Sequence, residues 1–481
     1  MILAPEDCGC PFVIEGASLE NSPVCSGTIL FMTLLQSFLW GRCNIAEPCK
    51  RIVSVDNVDE EYDFIVVGGG SAGSIVLLLE AGGPEPIGAK IPSFYRTFWA
   101  NQEVDWDYHT VPADYCLDKG SKGCSWPRGK VLDYEDWVQA GAEGWAWEDN
   151  LKYFAMTEGN RQIGSVYNHQ PQAMYELMHA INETGLPIIT DMNDPNTPEG
   201  FSIAQAFNAD GQRYTTARAF LLPKSQRPNL SVRLYSRVTR VLFEDKRAES
   251  LERFDIPVVA DLPVGHNLRN HIGATLSFVL SAVDDTFLTG LLYSSLGDRE
   301  RGQPDMQFFF NGFYAECSRT GQPGEPATDC PENGMNVSAN AVNLLPKSVG
   351  VITLNSSDPL DAPIFDANYF AHPEDMLVVK EGMRLLKKIF DSQILQDKYQ
   401  IKLDPEHTAR CDEYSEQWSE EWLECIIRVN TDPQNHQLGT AAIGRVVDTS
   451  LRVKHLEGNP QGAIMMVAER GAASLREEYG H

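Results

Sequence analysis

Tyr62 to Ser74 reads YDFIVVGGGSAGS, and this stretch decides the class of fold. Phe64 to Val67 is a short apolar run that enters Gly68-x-Gly70-x-x-Gly73. A parallel strand that ends in a glycine turn and opens a helix is the entry to a dinucleotide site, where backbone N–H groups meet a pyrophosphate. Gly68, Gly70, Ser71, Ala72 and Gly73 are therefore candidate cofactor-binding residues of an α/β domain. Just beyond, Ile75 to Gly83 reads IVLLLEAGG. Its Glu80 stands where a carboxylate accepts hydrogen bonds from an adenosine ribose, although an ordinary core strand can end the same way.

The spacing between the two signals is too short. The acidic residue normally follows the glycines by about 20 residues, because parallel strands need a crossover of about a dozen residues or more. Here Glu80 follows Gly73 by only seven. Either the first crossover is missing from this chain or the glycine run has another role.

Outside this region the chain reads as a large, acidic, globular protein. Its 481 residues allow two or three domains, and 39 Lys+Arg against 67 Asp+Glu give a net charge of −28, which repels nucleic acid and anionic membranes. No run reaches the roughly 18 apolar residues of a membrane span. Among 11 cysteines, Cys116/Cys124, Cys317/Cys330 and Cys411/Cys425 are closely spaced pairs that suit short-loop disulfides in an oxidising compartment. Sequons at Asn182, Asn229, Asn336 and Asn355 agree with a secreted glycoprotein. Thr28 to Trp40 is either the apolar part of a leader or an ordinary buried segment, and Arg51 to Glu61 reads as a polar linker. His109, His169, His372 and His455 lack metal-ligand spacing, so no metal is expected. Asp375 to Lys388 places Met376, Val379, Met383 and Leu386 at helical spacing, an amphipathic core helix.

Further segments follow in a fixed order: GAKIPSF (88–94), CSWPRGKVL (124–132), DYEDWVQAGAEGWAWEDNLKYF (133–154), TTARAFLLP (215–223), FDIPVVADLPVGHNLRNH (254–271), GVITLNSSDPLDAPIFDANYF (350–370) and MVAERGA (466–472). With YDFIVVGGGSAGS and LLLEAGG they resemble the glucose–methanol–choline (GMC) flavin oxidoreductases, in particular the insect glucose-dehydrogenase-like branch. The resemblance runs from about Tyr62 to Ala472. It implies an α/β, α+β overall, architecture: a discontinuous doubly wound FAD-binding domain and a substrate domain whose antiparallel sheet roofs the flavin. The implied organisation is a leader and Cys-rich segment over 1–60, a mainly FAD-binding region over 61–274, a substrate-binding region over 275–405 and a C-terminal return over 406–481.

The resemblance also implies the chemistry. Members oxidise a CH–OH donor, an alcohol or sugar, by giving the hydroxyl proton to a His and the hydride to FAD, which passes electrons to a quinone or to oxygen. A His base suits proton transfer near neutral pH. The family signature HPxGTCxMG corresponds to HQLGTAAIG, His436 to Gly444, and names His436 as the base. A second catalytic position, His or Asn in the family, corresponds to Gln461 in GNPQGAIMMVAERGA. Its amide can bond an alcohol, or simply cap a turn. SRVTRVLFE, 236–244, resembles the strand that holds the adenine, with Val238 the residue implied; alternation alone makes it a core strand residue.

Against the family pattern four blocks are missing. They fall at Ser74/Ile75, at Leu132/Asp133, between Glu249 and Phe254, and at Glu457/Gly458, all on flavin-contacting elements. Removing so much buried area exceeds the usual 5–15 kcal/mol stability of a domain, so the flavin domain is expected not to take the family form and the chain to purify without stoichiometric flavin. An alternative follows from the same cuts: a non-catalytic secreted binding protein, or the defective product of an incomplete gene model.

Overall fold

The computed structural model describes residues 106–126, 172–189, 199–213, 230–238, 262–279, 289–294, 305–314 and 336–446, with internal gaps of one or two residues. It also describes short pieces such as 65–67, 77–79, 165–166, 248–251 and 256–258. In chain order the strands around the site are β1 (Ile65–Val67), β2 (Leu77–Leu79), β3 (Gly200–Ser202), β4 (Ser231–Arg233), β5 (His266–Leu268), β6 (Ile272–Val279) and β7 (Thr289–Ser294). They continue as β8 (Met306–Tyr314), β9 (Asn336–Asn343), β10 (Gly350–Thr353), β11 (Ile364–Asp366), β12 (Lys402–Leu403) and β13 (Thr431–Pro433). The helices are α1 (Gln172–Glu183), α2 (Pro373–Phe390), α3 (Gln393–Tyr399), α4 (Pro405–Asp412) and α5 (Glu420–Val429).

β1, β2 and β4 form a parallel sheet in that order, with Val67 opposite Leu79 and Leu79 opposite Arg233. The two strands thus pair in parallel although the connection is too short for a crossover helix. The nine residues from Gly68 to Val76 span up to about 30 Å when extended, far more than the return along a three-residue strand and across one strand spacing. Such a connection can join parallel strands, but it is too short for the usual covering helix. Ile65 is accordingly 57% exposed, whereas Leu78, Val232 and Leu234 form a small buried cluster. Two expectations shift here. Val238 is half-buried but stands outside any strand, five residues beyond the end of β4. Within the expected linker, Val55 N donates to Val232 O at 2.8 Å, so part of it docks along β4.

The second sheet is antiparallel and seven-stranded, in the order β12–β6–β9–β8–β7–β3, with β13 also pairing β6. One face alternates Ile272, Ala274, Leu276 and Phe278 with Met306, Phe308 and Phe310 and with Val337, Ala339 and Ala341, all buried. On it lies α2, whose Met376, Val379, Met383 and Leu386 are buried as the spacing predicts. The helix comes close because Gly382 has no side chain: a Cβ there would stand 2.7 Å from Ala341 Cβ and 2.9 Å from Met306 Sδ. Asp404 caps α4, and Ser419 caps α5 by accepting from Trp422 N at 3.1 Å.

Two of the expected disulfides are present. Cys116–Cys124 closes an eight-residue separation around a 3-10 helix, and Cys411–Cys425 ties α4 to α5. Cys317 and Cys330 lie outside the described residues. Thiol labelling of the denatured, non-reduced chain is expected to find all four bonded cysteines blocked, and quantitative labelling of Cys411 and Cys425 would refute that bond. Reducing the latter bond should cost about 3 kcal/mol in loop entropy.

Beside it, Asp412 accepts from Trp422 Nε1 at 2.6 Å, Thr408 Oγ1 at 2.7 Å and Gln417 Nε2 at 3.0 Å. Burial opposes ionisation of this carboxylate, but the three hydrogen bonds outweigh it and lower its pKa. A depressed carboxylate stabilises the fold above its unfolded pKa of about 3.9 and ceases to do so as pH falls through the folded value. Because Asp412 is exposed, screening limits its contribution to about 1 kcal/mol. Urea unfolding should therefore show Asp412→Asn less stable than the parent by that amount at pH 7, with the gap narrowing as pH falls below about 3.9. A gap independent of pH would contradict the argument.

Candidate active site

β5 and the segment before β6 carry GHNLRNH, Gly265 to His271, while β13 leads into HQLGT, His436 to Thr440. The two run antiparallel. Gly265 N donates to Thr440 O at 3.0 Å, Arg269 and Leu438 exchange backbone hydrogen bonds of 2.8 and 2.9 Å, and Gln434 N donates to His271 O at 3.2 Å. Gly439 has φ +93°, and a Cβ there would stand 2.2 Å from Asn267 O, so this glycine of the signature is required by close backbone approach.

This ladder brings two imidazoles together. His436 is 6% and His271 9% exposed; their Nδ1 atoms are 2.8 Å apart and the rings meet edge to face. Such a contact holds one proton, donated by one ring to the other. The His436 backbone N–H donates to Asn270 Oδ1 at 2.8 Å, Asn270 Nδ2 donates to Tyr369 Oη at 2.5 Å, and Trp126 Nε1 donates to the same oxygen at 3.0 Å. Burial raises the pKa of Tyr369 well above the ordinary phenol range, so it is a neutral anchor at physiological pH. Asn270, His271, Tyr369 and Trp126 were not singled out from the sequence, although GHNLRNH was among the segments that carried the resemblance. The signal available there was a polar Asn-His pair just before an alternating strand.

Of the other expected site residues, Gly68, Gly70, Ser71, Ala72, Gly73, Glu80 and Gln461 lie outside the described residues. The strand ends that lead into the glycine run and into Glu80 are neighbours, because Val67 pairs with Leu79. This is the carboxyl edge of a parallel sheet, where open α/β sheets bind nucleotides. Val238 follows the third strand of the same sheet.

Comparison with known proteins agrees with this arrangement. The N-terminal family model of GMC oxidoreductase matches residues 62–255 and the C-terminal one residues 346–468. The chain is 31% identical to glucose dehydrogenase [FAD, quinone] of Drosophila pseudoobscura pseudoobscura over 100% of its own length and 97% of the relative's. It is 26% identical to ecdysone oxidase of Bombyx mori over 94% and 87%. The first alignment occupies 618 positions although the chain has 481 residues, so the relative contains internal sequence that this chain lacks. Among solved structures, pyridoxine 4-oxidase from Mesorbium loti has the same fold with a TM-score of 0.67 at 20% identity, over 87% of this chain and 99% of that one. Formate oxidase of Aspergillus oryzae gives 0.68 at 18%, over 88% and 100%. The fold of the family is thus shared over most of the chain.

Proposed function

The chain belongs to the GMC oxidoreductase family, and on that premise we propose that it is an FAD-dependent oxidoreductase of CH–OH donors with His436 as the base. The Nδ1–Nδ1 contact of His271 and His436 carries this reading. When His436 donates its Nδ1 proton to His271, its lone pair resides on Nε2, the form needed to take a hydroxyl proton. Once Nε2 is protonated, the Nδ1 hydrogen bond becomes charge-assisted and stabilises the imidazolium. Asn270 holds the backbone beneath the ring, and most of the remaining gain comes from positioning.

FAD supplies the hydride acceptor when bound. Gly68, Gly70, Ser71, Ala72, Gly73, Glu80 and Val238 are the residues assigned to hold it, and Gln461 is assigned a hydrogen bond to the reacting oxygen. The Drosophila pseudoobscura pseudoobscura relative is named for a quinone acceptor, and we assign this chain a quinone or oxygen. Turnover of 1-hexanol or D-glucose with a quinone acceptor by the FAD-supplemented chain tests the reading. A flavin-loaded chain that oxidises neither, nor any other alcohol or sugar in a panel, would favour the non-catalytic binding protein, the alternative that the missing internal sequence supports.

We further place the protein outside the cell. The reading rests on the two disulfides and on sequons whose Asn182 and Asn355 side chains are exposed. Among the described residues no helix is long and apolar enough to cross a membrane.

A further inference from the structure

His436 is held at two places by neighbouring residues: the His271 ring meets its imidazole, and Asn270 Oδ1 accepts from its backbone N–H. The ring contact keeps its geometry only while the backbone beneath it stays in place. That in turn depends on which end of the Asn270 amide faces His436, since an amide has one accepting and one donating end. The amide is buried, so water does not stand in for a lost partner.

The orientation is set two bonds away. Asn270 Nδ2 donates to Tyr369 Oη, which also accepts from Trp126 Nε1, so the chain of hydrogen bonds runs from the His436 N–H at one end to the Trp126 indole at the other. Both ends can only donate. Were Tyr369 to donate to Asn270, the amide would have to turn its Oδ1 to the hydroxyl and its Nδ2 against the His436 N–H, donor against donor. A single polarity is left, with Tyr369 Oη accepting twice. Trp126 is itself fastened by main-chain bonds: its N donates to Tyr108 O at 3.1 Å, and Thr110 N donates to Cys124 O at 3.0 Å beside the Cys116–Cys124 bond. Arg428 Nη1 donates to Asp114 Oδ2 at 2.6 Å and Arg410 Nη1 to Leu117 O at 3.0 Å, which pins the segment around this disulfide to α5 and α4.

We propose that Tyr369 and Trp126 are positioning residues for the proton-transfer step, acting on His436 through Asn270, an inference that rests on His436 being the base. Tyr369 supplies the acceptor that Asn270 Nδ2 requires, and Trp126 keeps Tyr369 in that accepting role. With both in place Asn270 Oδ1 stays on the His436 N–H, and the imidazole stays on His271 Nδ1 with its Nε2 lone pair as the proton acceptor. Without Tyr369 Oη the amide loses its outer restraint. Without the Trp126 indole the Tyr369 hydroxyl can reverse and compete for Asn270 Oδ1.

The test compares Tyr369→Phe and Trp126→Phe with Tyr115→Phe, which alters a second buried tyrosine whose ring packs edge-on against Tyr369 but whose oxygen takes no part in the chain of bonds. The full chain with isotope-labelled histidine, without added flavin, gives by NMR the solvent exchange of the proton held between His271 and His436. The same chain with FAD added gives kcat and KM for 1-hexanol or D-glucose. Tyr369→Phe is expected to speed the exchange about 10-fold and to lower kcat about 10-fold, with KM within about twofold of the parent. Trp126→Phe should move both in the same direction by a smaller factor, and it decides the matter should Tyr369→Phe not fold. Tyr115→Phe should match the parent. Parental exchange in both Tyr369→Phe and Trp126→Phe, or an equal change in Tyr115→Phe, overturns the proposal whatever the thermal midpoints. Faster exchange with no effect on turnover, or with no turnover in the parent, leaves the bonded chain as a brace on His436 and refutes His436 as the base.

Discussion

Replacing His436 by Ala in the FAD-loaded chain is expected to lower turnover by about 10²–10⁴, with flavin occupancy little changed and the thermal midpoint lowered by the loss of the buried partner of His271. The size follows from removing a general base, not from loss of packing, because the backbone contacts of the segment do not use the imidazole: Asn270 binds the His436 N–H and Leu438 pairs with Arg269. His271 separates two accounts of the site. His271→Leu removes the partner of His436 Nδ1 and leaves the tautomer unset. His271→Gln restores a hydrogen-bonding side chain at the same place. If His271 positions the base, the Gln variant recovers part of the activity that Leu loses, and the pH profile of kcat shifts in both. If the two variants lose activity equally through lower stability and keep the parental profile, His271 is a packing residue. Unchanged turnover in His436→Ala places the base elsewhere.

The parts legible in the sequence are those with local periodicity or a local turn. α2 was readable because Met376, Val379, Met383 and Leu386 recur on one face, and the Cys411–Cys425 bond because only 14 residues separate its ends. His436 was readable only through the family signature. Its surroundings were not: Asn270 and His271 are 166 and 165 residues away from it, and Tyr369 a further contact beyond, so nothing in local spacing joins them. Of the strand expected over SRVTRVLFE, Ser236 to Val238 stand outside any strand and 239–244 lie outside the described residues, while the parallel partner of β2 is Ser231–Arg233, which local alternation did not mark.

Expressed by itself, the chain should purify nearly colourless and acquire the flavin absorption band when FAD is supplied in excess. The cradle is present in outline, since β1, β2 and β4 stand parallel and the ends of β1 and β2 that lead into Gly68 and Glu80 are adjacent. It is incomplete in depth. The connection between β1 and β2 is shorter than the dozen residues of a usual helical crossover, Ile65 is left 57% exposed, and the alignment with the Drosophila pseudoobscura relative needs 618 positions for a chain of 481. A shortened crossover removes helical N–H donors and the dipole that favour a diphosphate, and Glu80, close to the glycine turn in sequence, adds negative charge beside it. Each lost charge-assisted hydrogen bond is worth about 1.5–3 kcal/mol, so the loss of two or three weakens the cofactor by about 10²–10⁶-fold, enough to lose it during purification. Titration of the purified chain with FAD, followed by fluorescence quenching, gives the affinity directly. A preparation that is yellow at about one equivalent per chain would show that the shortened connection costs the site little. Restoring a helical crossover of relative-like length between Ser74 and Ile75 should raise retained flavin towards one equivalent, and no gain in that variant would place the weakness in another part of the site.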